Sequence, residues 1–256
     1  MSLTGRRSES EIKAFAKTSL ERLLGLRINL AEFYRLAQAD RKLGGLAQRF
    51  RGLKPTRFLT IFEALANAIT CQQLSLCLGI LLLSRITENF GVAVEGTGGT
   101  VRAFPRSEDL AELKPMAFRK LGFTYSKGRS LIALARACLS GEANLERLAN
   151  LDNEASVEHL LKLRGIGRWS AEYVLLRGLG RLNVFPGDDV GTRNTLRSWL
   201  KLRKPLDYDR VQRVTAKWQP YAGFVYFHLL LDRLDATGHL VATRMENQIG
   251  APDDAG

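Results

Sequence analysis

An all-α fold is predicted by three features of the chain. Apolar residues recur at helical spacing through nearly every segment. Strand-like patterning is confined to one short stretch between Gly91 and Pro105, and there is no internal repeat or low-complexity tract. With 256 residues, 45% of them hydrophobic, the chain is long enough to bury a sizeable core.

The charge narrows the choice of partner. A formal net charge of +12 and a pI near 10.0 favour a polyanion, with nucleic acid first among the candidates. A basic but otherwise ordinary soluble protein accounts for the charge equally well. No segment joins a basic face to an amphipathic anchor, as a membrane surface would require. Ala64–Ser84 carries no charge, yet lipid would tolerate its Asn67, Thr70, Gln72, Gln73 and Ser75 poorly. Two core helices around a polar break are the better reading, and the protein is expected to be soluble. Cys71, Cys77 and Cys138 are odd in number and set among apolar residues, which suits reduced thiols in a reducing compartment. Met1–Ser10 is polar and lacks the apolar core of a signal peptide.

Taken in order, residues 1–8 read as a flexible start. Ile12, Phe15, Ala16, Leu20, Leu23 and Leu24 then share one helical face, and Asn29 can cap a short helix holding Phe33, Tyr34 and Leu36. The basic stretch 40–57 ends at Pro55 and reads as a charged, solvated face. Phe58–Ile69 and Leu76–Phe90 are helices on either side of the Thr70–Ser75 break. The glycines near 92–104 make a small β ribbon. No helix opens directly after them, so no phosphate role is assigned. Ser107 caps a helix through Leu113, Pro115 suits a first turn, and Ser126 caps a helix running to Leu139. Asn144–Leu148, Thr192–Leu200, Tyr208–Trp218 and Phe224–Leu234 are further helices, and 242–256 is a frayed tail.

The centre of the chain is 156–191, SVEHLLKLRGIGRWSAEYVLLRGLGRLNVFPGDDVG. Ser156 is a candidate N-cap, and Val157, Leu160, Leu161 and Leu163 give an apolar stripe. Gly165 and Gly167 mark a turn needing positive φ or a close approach by another group. A second helix begins near Trp169. Backbone amides at such a hairpin, beside a helix start, suit an anion such as phosphate. A carboxylate pair, Asp188 and Asp189, follows ahead of another helix.

The pattern L-x-G-I-G-R-W-S-A followed by F-P-x-x-D-x-G resembles the helix–hairpin–helix (HhH-GPD) DNA glycosylases, in the branch of 3-methyladenine DNA glycosylase II (AlkA-like). The hairpin by itself occurs in many DNA-binding proteins; the aspartate at that distance makes the pattern specific. The likeness runs from about residue 20 to about residue 235. It implies two helical lobes with a cleft between them. The segments are then a flexible start (1–8), N-terminal helices packing with the C-terminal lobe (9–57), a central lobe (58–155), the hairpin and Asp loop (156–191), C-terminal helices (192–241) and a tail (242–256).

The resemblance also assigns roles. Asp189, two residues before Gly191, is the catalytic carboxylate, with helix capping as its alternative and Asp188 as the structural neighbour. The hairpin Gly165, Ile166 and Gly167 grips DNA with Arg164, Arg168 and Ser170; the alternative is a tight turn and no more. Trp169 and Tyr173 line the base pocket unless they are core, and Trp218 and Tyr221 of the W-x-P-Y segment stack on the flipped base. Gln73 takes the wedge position, with Gln72 as neighbouring candidate and hydrogen bonding between helices as the alternative.

The strand-cutting relatives have a lysine where this chain has Trp169, so no lyase activity is implied. No cysteine lies beyond Cys138 to hold an iron–sulfur cluster, and His159, His228 and His239 lack zinc spacing. No metal or other cofactor is expected for the chemistry, though a monovalent cation at the hairpin carbonyls is possible. The implied function is hydrolysis of the N-glycosidic bond of alkylated purines after base flipping, by a monomer acting on damaged double-stranded DNA. The alternatives are oxidised or deaminated bases on the same scaffold, or a non-catalytic damage binder. The expected location is the cytoplasm, nucleoid-associated in a bacterium, or the nucleus of a eukaryote.

Overall fold

The computed structural model describes residues 8–96 and 98–240. Of the flexible start expected at 1–8 only Ser8 is among the described residues, and the tail expected at 242–256 lies wholly outside them. Ser8 caps helix α1 (Glu9–Leu24) in a capping box with Glu11. None of the residues of α1 is buried, and Ile12, Phe15, Leu20 and Leu24 stay about half exposed. Its apolar stripe therefore does not enter the core; Arg22 instead reaches across to the Gly178 carbonyl at 3.2 Å. Helix α2 (Ala31–Ala39) starts where the Asn29 side chain accepts from the Ala31 amide. Asp40 caps α3 (Arg41–Arg49) by accepting from Lys42 and Leu43. Much of the basic stretch is thus an amphipathic helix, with Leu43, Leu46 and Ala47 buried beneath its cations.

Thr60 and Ser75 cap α4 (Ile61–Cys71) and α5 (Leu76–Phe90). An antiparallel ribbon follows, β1 (Val92–Gly96) against β2 (Gly99–Ala103), with Val92 opposite Ala103. Helices α6 (Ser107–Ala111), α7 (Pro115–Lys120) and α8 (Tyr125–Ser140) come next. Thr124 rather than Ser126 caps α8, because the extended Thr124 backbone aims its hydroxyl at the Lys127 amide. Asp152, not Ser156, caps α9 (Asn153–Leu161). Ser156 lies a turn later, buried, where its hydroxyl accepts from Arg181 at 3.0 Å. The chain continues through α10 (Arg168–Val174), which runs into a π-helical turn at Leu175–Leu179, then α11 (Val190–Leu200), α12 (Tyr208–Thr215) and α13 (Ala222–Ala236).

The buried residues form two clusters. One gathers Leu65 and Ile69 of α4, Phe118, Phe123, Leu131 of α8, Leu160 of α9 and Val174 of α10. The other joins Phe33 of α2 and Leu43 of α3 to Leu196, Trp218, Phe224 and Phe227 from the C-terminal helices. Leu175 belongs to the first and its neighbour Leu176 to the second. The π turn is therefore the seam where the two cores meet.

Candidate active site

The hairpin is built by local constraint. Gly165 has φ +83°, and a Cβ there would lie 2.4 Å from Ser130 Oγ and 2.7 Å from Ser130 Cβ. Both facts demand glycine. Gly165→Ala is expected to lower stability by about 2 kcal/mol and to weaken duplex binding; denaturant unfolding and a binding titration check this. Arg164, Gly165, Gly167 and Arg168 are exposed, as a phosphate grip needs. Two predicted contacts are internal instead. Ile166 is buried in the lobe and its amide already donates to the Leu163 carbonyl at 3.1 Å. Ser170 is buried, and its hydroxyl accepts from Gln72 Nε2 at 2.8 Å. Its place one turn into α10 points it at the α4–α5 turn and not at solvent.

That turn holds the two wedge candidates. Gln72 Nε2 also donates to the Gly165 carbonyl at 2.8 Å, so Gln72 ties the turn to the hairpin. Gln73 is exposed with φ +56°, a left-handed conformation uncommon for a residue with a Cβ. Lys127 Nζ secures the turn from below by donating to the Thr70 and Gln72 carbonyls at 2.8 and 2.7 Å. Of the pair, Gln73 is the side chain left facing outward.

Asp189 caps α11 and faces the cleft at once. Its Oδ1 accepts from the Thr192 amide at 2.7 Å, while Oδ2 accepts from Tyr226 Oη at 2.8 Å and from Trp169 Nε1 at 3.3 Å. The cleft encloses about 580 Å³ between the Gln72–Leu74 turn, the start of α10 with Trp169, the Asp188–Gly191 segment and Arg233. Tyr173 stacks on Trp169 with centroids 5.3 Å apart and lies behind it, its hydroxyl donating to Asn67 at 3.0 Å. Burial pushes the Tyr173 phenol up to about 12. Burial, and then the charge of Asp189, also raises the Tyr226 phenol well above its ordinary value.

Trp218 and Tyr221 are not at the cleft. Trp218 is 1% exposed, donates from Nε1 to Asp40 at 3.0 Å and packs on Trp199. Tyr221 sits at the head of α13 with its ring 5.8 Å from Phe33. Both belong to the second core, because the first turn of α13 is held there, with the Gly223 amide donating to the Leu182 carbonyl at 2.7 Å. Further along α13, Tyr226 and Arg233 reach Asp189 and the cleft. They are seven residues apart and share one face of the helix. That spacing was the available signal, masked by the apolar run around Tyr226.

Among the described residues no group of His, Cys, Asp and Glu could hold a metal ion, and no helix is long and apolar enough to cross a membrane.

A profile of the HhH-GPD superfamily base excision DNA repair proteins matches residues 66–220. The chain belongs to this superfamily. It is 31% identical over 201 residues to the DNA-3-methyladenine glycosylase of Bacillus subtilis, covering 78% of this chain and 66% of that protein, just under two thirds of its length. Among solved structures, the 3-methyladenine DNA-glycosylase of Archaeoglobus fulgidus superposes with a TM-score of 0.79 at 31% identity, covering 93% of this chain and 79% of that one. The 3-methyladenine DNA glycosylase of Schizosaccharomyces pombe in complex with abasic DNA gives 0.65 at 26% identity, covering 78% of this chain and 95% of that one.

Proposed function

We propose that this protein is a monofunctional DNA glycosylase that removes alkylated purines, of the 3-methyladenine and 7-methylguanine type, from double-stranded DNA. The observation that carries the reading is Asp189: a carboxylate on the cleft wall, oriented through both oxygens, at the N–H edge of the Trp169 indole. The names of the relatives support the same substrate class. A monomer working on chromosomal DNA suffices for this chemistry.

A base inside a duplex is out of reach, so the nucleotide swings into the cleft. Gln73 stands where a side chain could fill the gap, and the exposed hairpin residues with Arg164 and Arg168 hold the strand. Trp169 offers an electron-rich face, which favours an electron-poor or cationic methylated purine. As the base departs, positive charge grows on the deoxyribose. Asp189 is already fixed by Thr192, Trp169 and Tyr226, so its charge meets that state with little reorganisation. The same carboxylate orients the incoming water. With indole at position 169, no amine in the hairpin motif is available to attack the sugar. A monovalent cation at the hairpin carbonyls would share the Gly165 oxygen with Gln72, and no step depends on it.

Excision assays on a panel of lesion-bearing duplexes test the reading. Free alkylated base and an abasic site are the expected products, without strand cleavage and without an adduct trapped by borohydride. A trapped adduct would overturn the monofunctional assignment, and no base release from any duplex would overturn the enzyme itself. Tyr226→Phe, which takes one donor from Asp189, is expected to slow base release about tenfold at unchanged duplex affinity, measured in single turnover.

A further inference from the structure

Glu172 is a carboxylate that the chemistry above does not use. It is 5% exposed, on α10 one turn after Arg168, and its two oxygens are satisfied by different parts of the chain. Oε1 accepts from Tyr208 Oη at 2.5 Å, and Oε2 accepts from the Gly187 amide at 3.1 Å. Gly187 stands two residues before Asp189. A Cβ there would lie 2.8 Å from the Tyr208 ring and 3.1 Å from Gln212 Nε2, so the segment is pressed between α10 and α12. Gln212 holds it as well, donating to the Phe185 carbonyl at 3.3 Å. On the outer side of Tyr208, the Arg168 guanidinium lies 4.4 Å from the ring centroid, with Asp188 4.0 Å from Arg168 Nε.

We propose that Glu172 is a positioning residue for base excision: it fixes Gly187, and through it Asp189, beside the sugar, while Tyr208 and Arg168 carry the restraint out to the hairpin. The proposal rests on the reading of Asp189 as the catalytic carboxylate. A buried acid among apolar neighbours destabilises a fold unless it is paired, and no structural need is met here that a neutral amide could not meet. What the carboxylate supplies is a charge-assisted hold on a loop amide.

The grip responds to pH. Burial raises the Glu172 carboxyl to about 7; repulsion from Asp188 acts with it, while Tyr208, the Gly187 amide and Arg168 oppose it. Tyr208 is the neighbour whose hydroxyl can turn from donor to acceptor, so the added proton goes to Oε1. Oε2 then loses its charge and holds the Gly187 amide less firmly. Excision should therefore slow as pH falls through about 7.

Single-turnover base release from a 3-methyladenine duplex, with the full chain in excess, tests this together with a binding titration. The wild-type rate is expected to rise about fivefold from about pH 6 to about pH 8. Glu172→Gln keeps an acceptor for Gly187 and a donor for Tyr208, and should be flat over that range. Glu172→Leu lacks both, and should be about 30-fold slower with duplex affinity unchanged. Tyr208→Phe removes the donor that steadies the carboxylate, and should move the inflection upward; this arm stands even if Glu172→Leu does not fold. The same inflection in Glu172→Gln, or a folded Glu172→Leu at the wild-type rate, would overturn the proposal. Asp189→Asn run alongside separates the two readings. Activity in that variant sinks the catalytic assignment, whereas an inactive Asp189→Asn with unaltered Glu172 variants sinks only the positioning role.

Discussion

Asp189→Asn is expected to lower single-turnover base release by about a thousandfold or more, with duplex affinity within a few-fold of wild type. The substitution keeps the oxygen that caps α11 through the Thr192 amide, so the helix start survives. What it removes is the charge. It also turns an amide N–H toward Trp169 Nε1, which can only donate, so the pair now faces donor to donor. A developing cation on the sugar would then meet a neutral group held in the wrong sense. Quantifying released base and measuring affinity on the same duplex separates this outcome from its rival. A non-catalytic damage binder would bind equally well and show no activity to lose.

Trp218→Ala is expected to cost about 4 kcal/mol of stability, with the folded fraction still excising at close to the wild-type rate. The indole is almost wholly buried between Trp199 and the second core, and its N–H serves Asp40. Against the upward push of partial burial, hydrogen bonds from Lys217, Trp218 and the Leu43 amide hold the Asp40 carboxyl down at about 2. Because that pKa is depressed, its stabilising contribution is present above 3.8 and lost as pH falls toward about 2. Chemical denaturation gives the loss directly. A stable Trp218→Ala protein that binds DNA but releases no base would instead place this ring in the reaction.

The parts of the candidate site that sequence made legible are those carried by one motif, from Gly165 to Asp189. The glycine turn, the indole at 169 and the aspartate before α11 lie on one continuous stretch. Helical periodicity likewise gave most of the helices, but it missed α3, whose buried Leu43, Leu46 and Ala47 are hidden among cations, and it put the cap of α9 at Ser156, a turn after Asp152. Trp218 and Tyr221 show the limit. A motif register places a ring along the chain, but the packing of α13 on Leu182 and Phe33 decides which side of the lobe it faces. Tyr226, Arg233, Glu172 and Tyr208 were unseen for a related reason. Each acts on a segment outside its own helix, and no local pattern marks one phenol among apolar neighbours or one acid on a mixed helix.

Gln72 couples two parts of the surface that sequence treats as separate. One side-chain nitrogen bridges Gly165 and Ser170, so the finger bearing Gln73 and the glycine bend behave as a single tool. Displacement of the bend is then felt at the fingertip directly, without passing through the cleft.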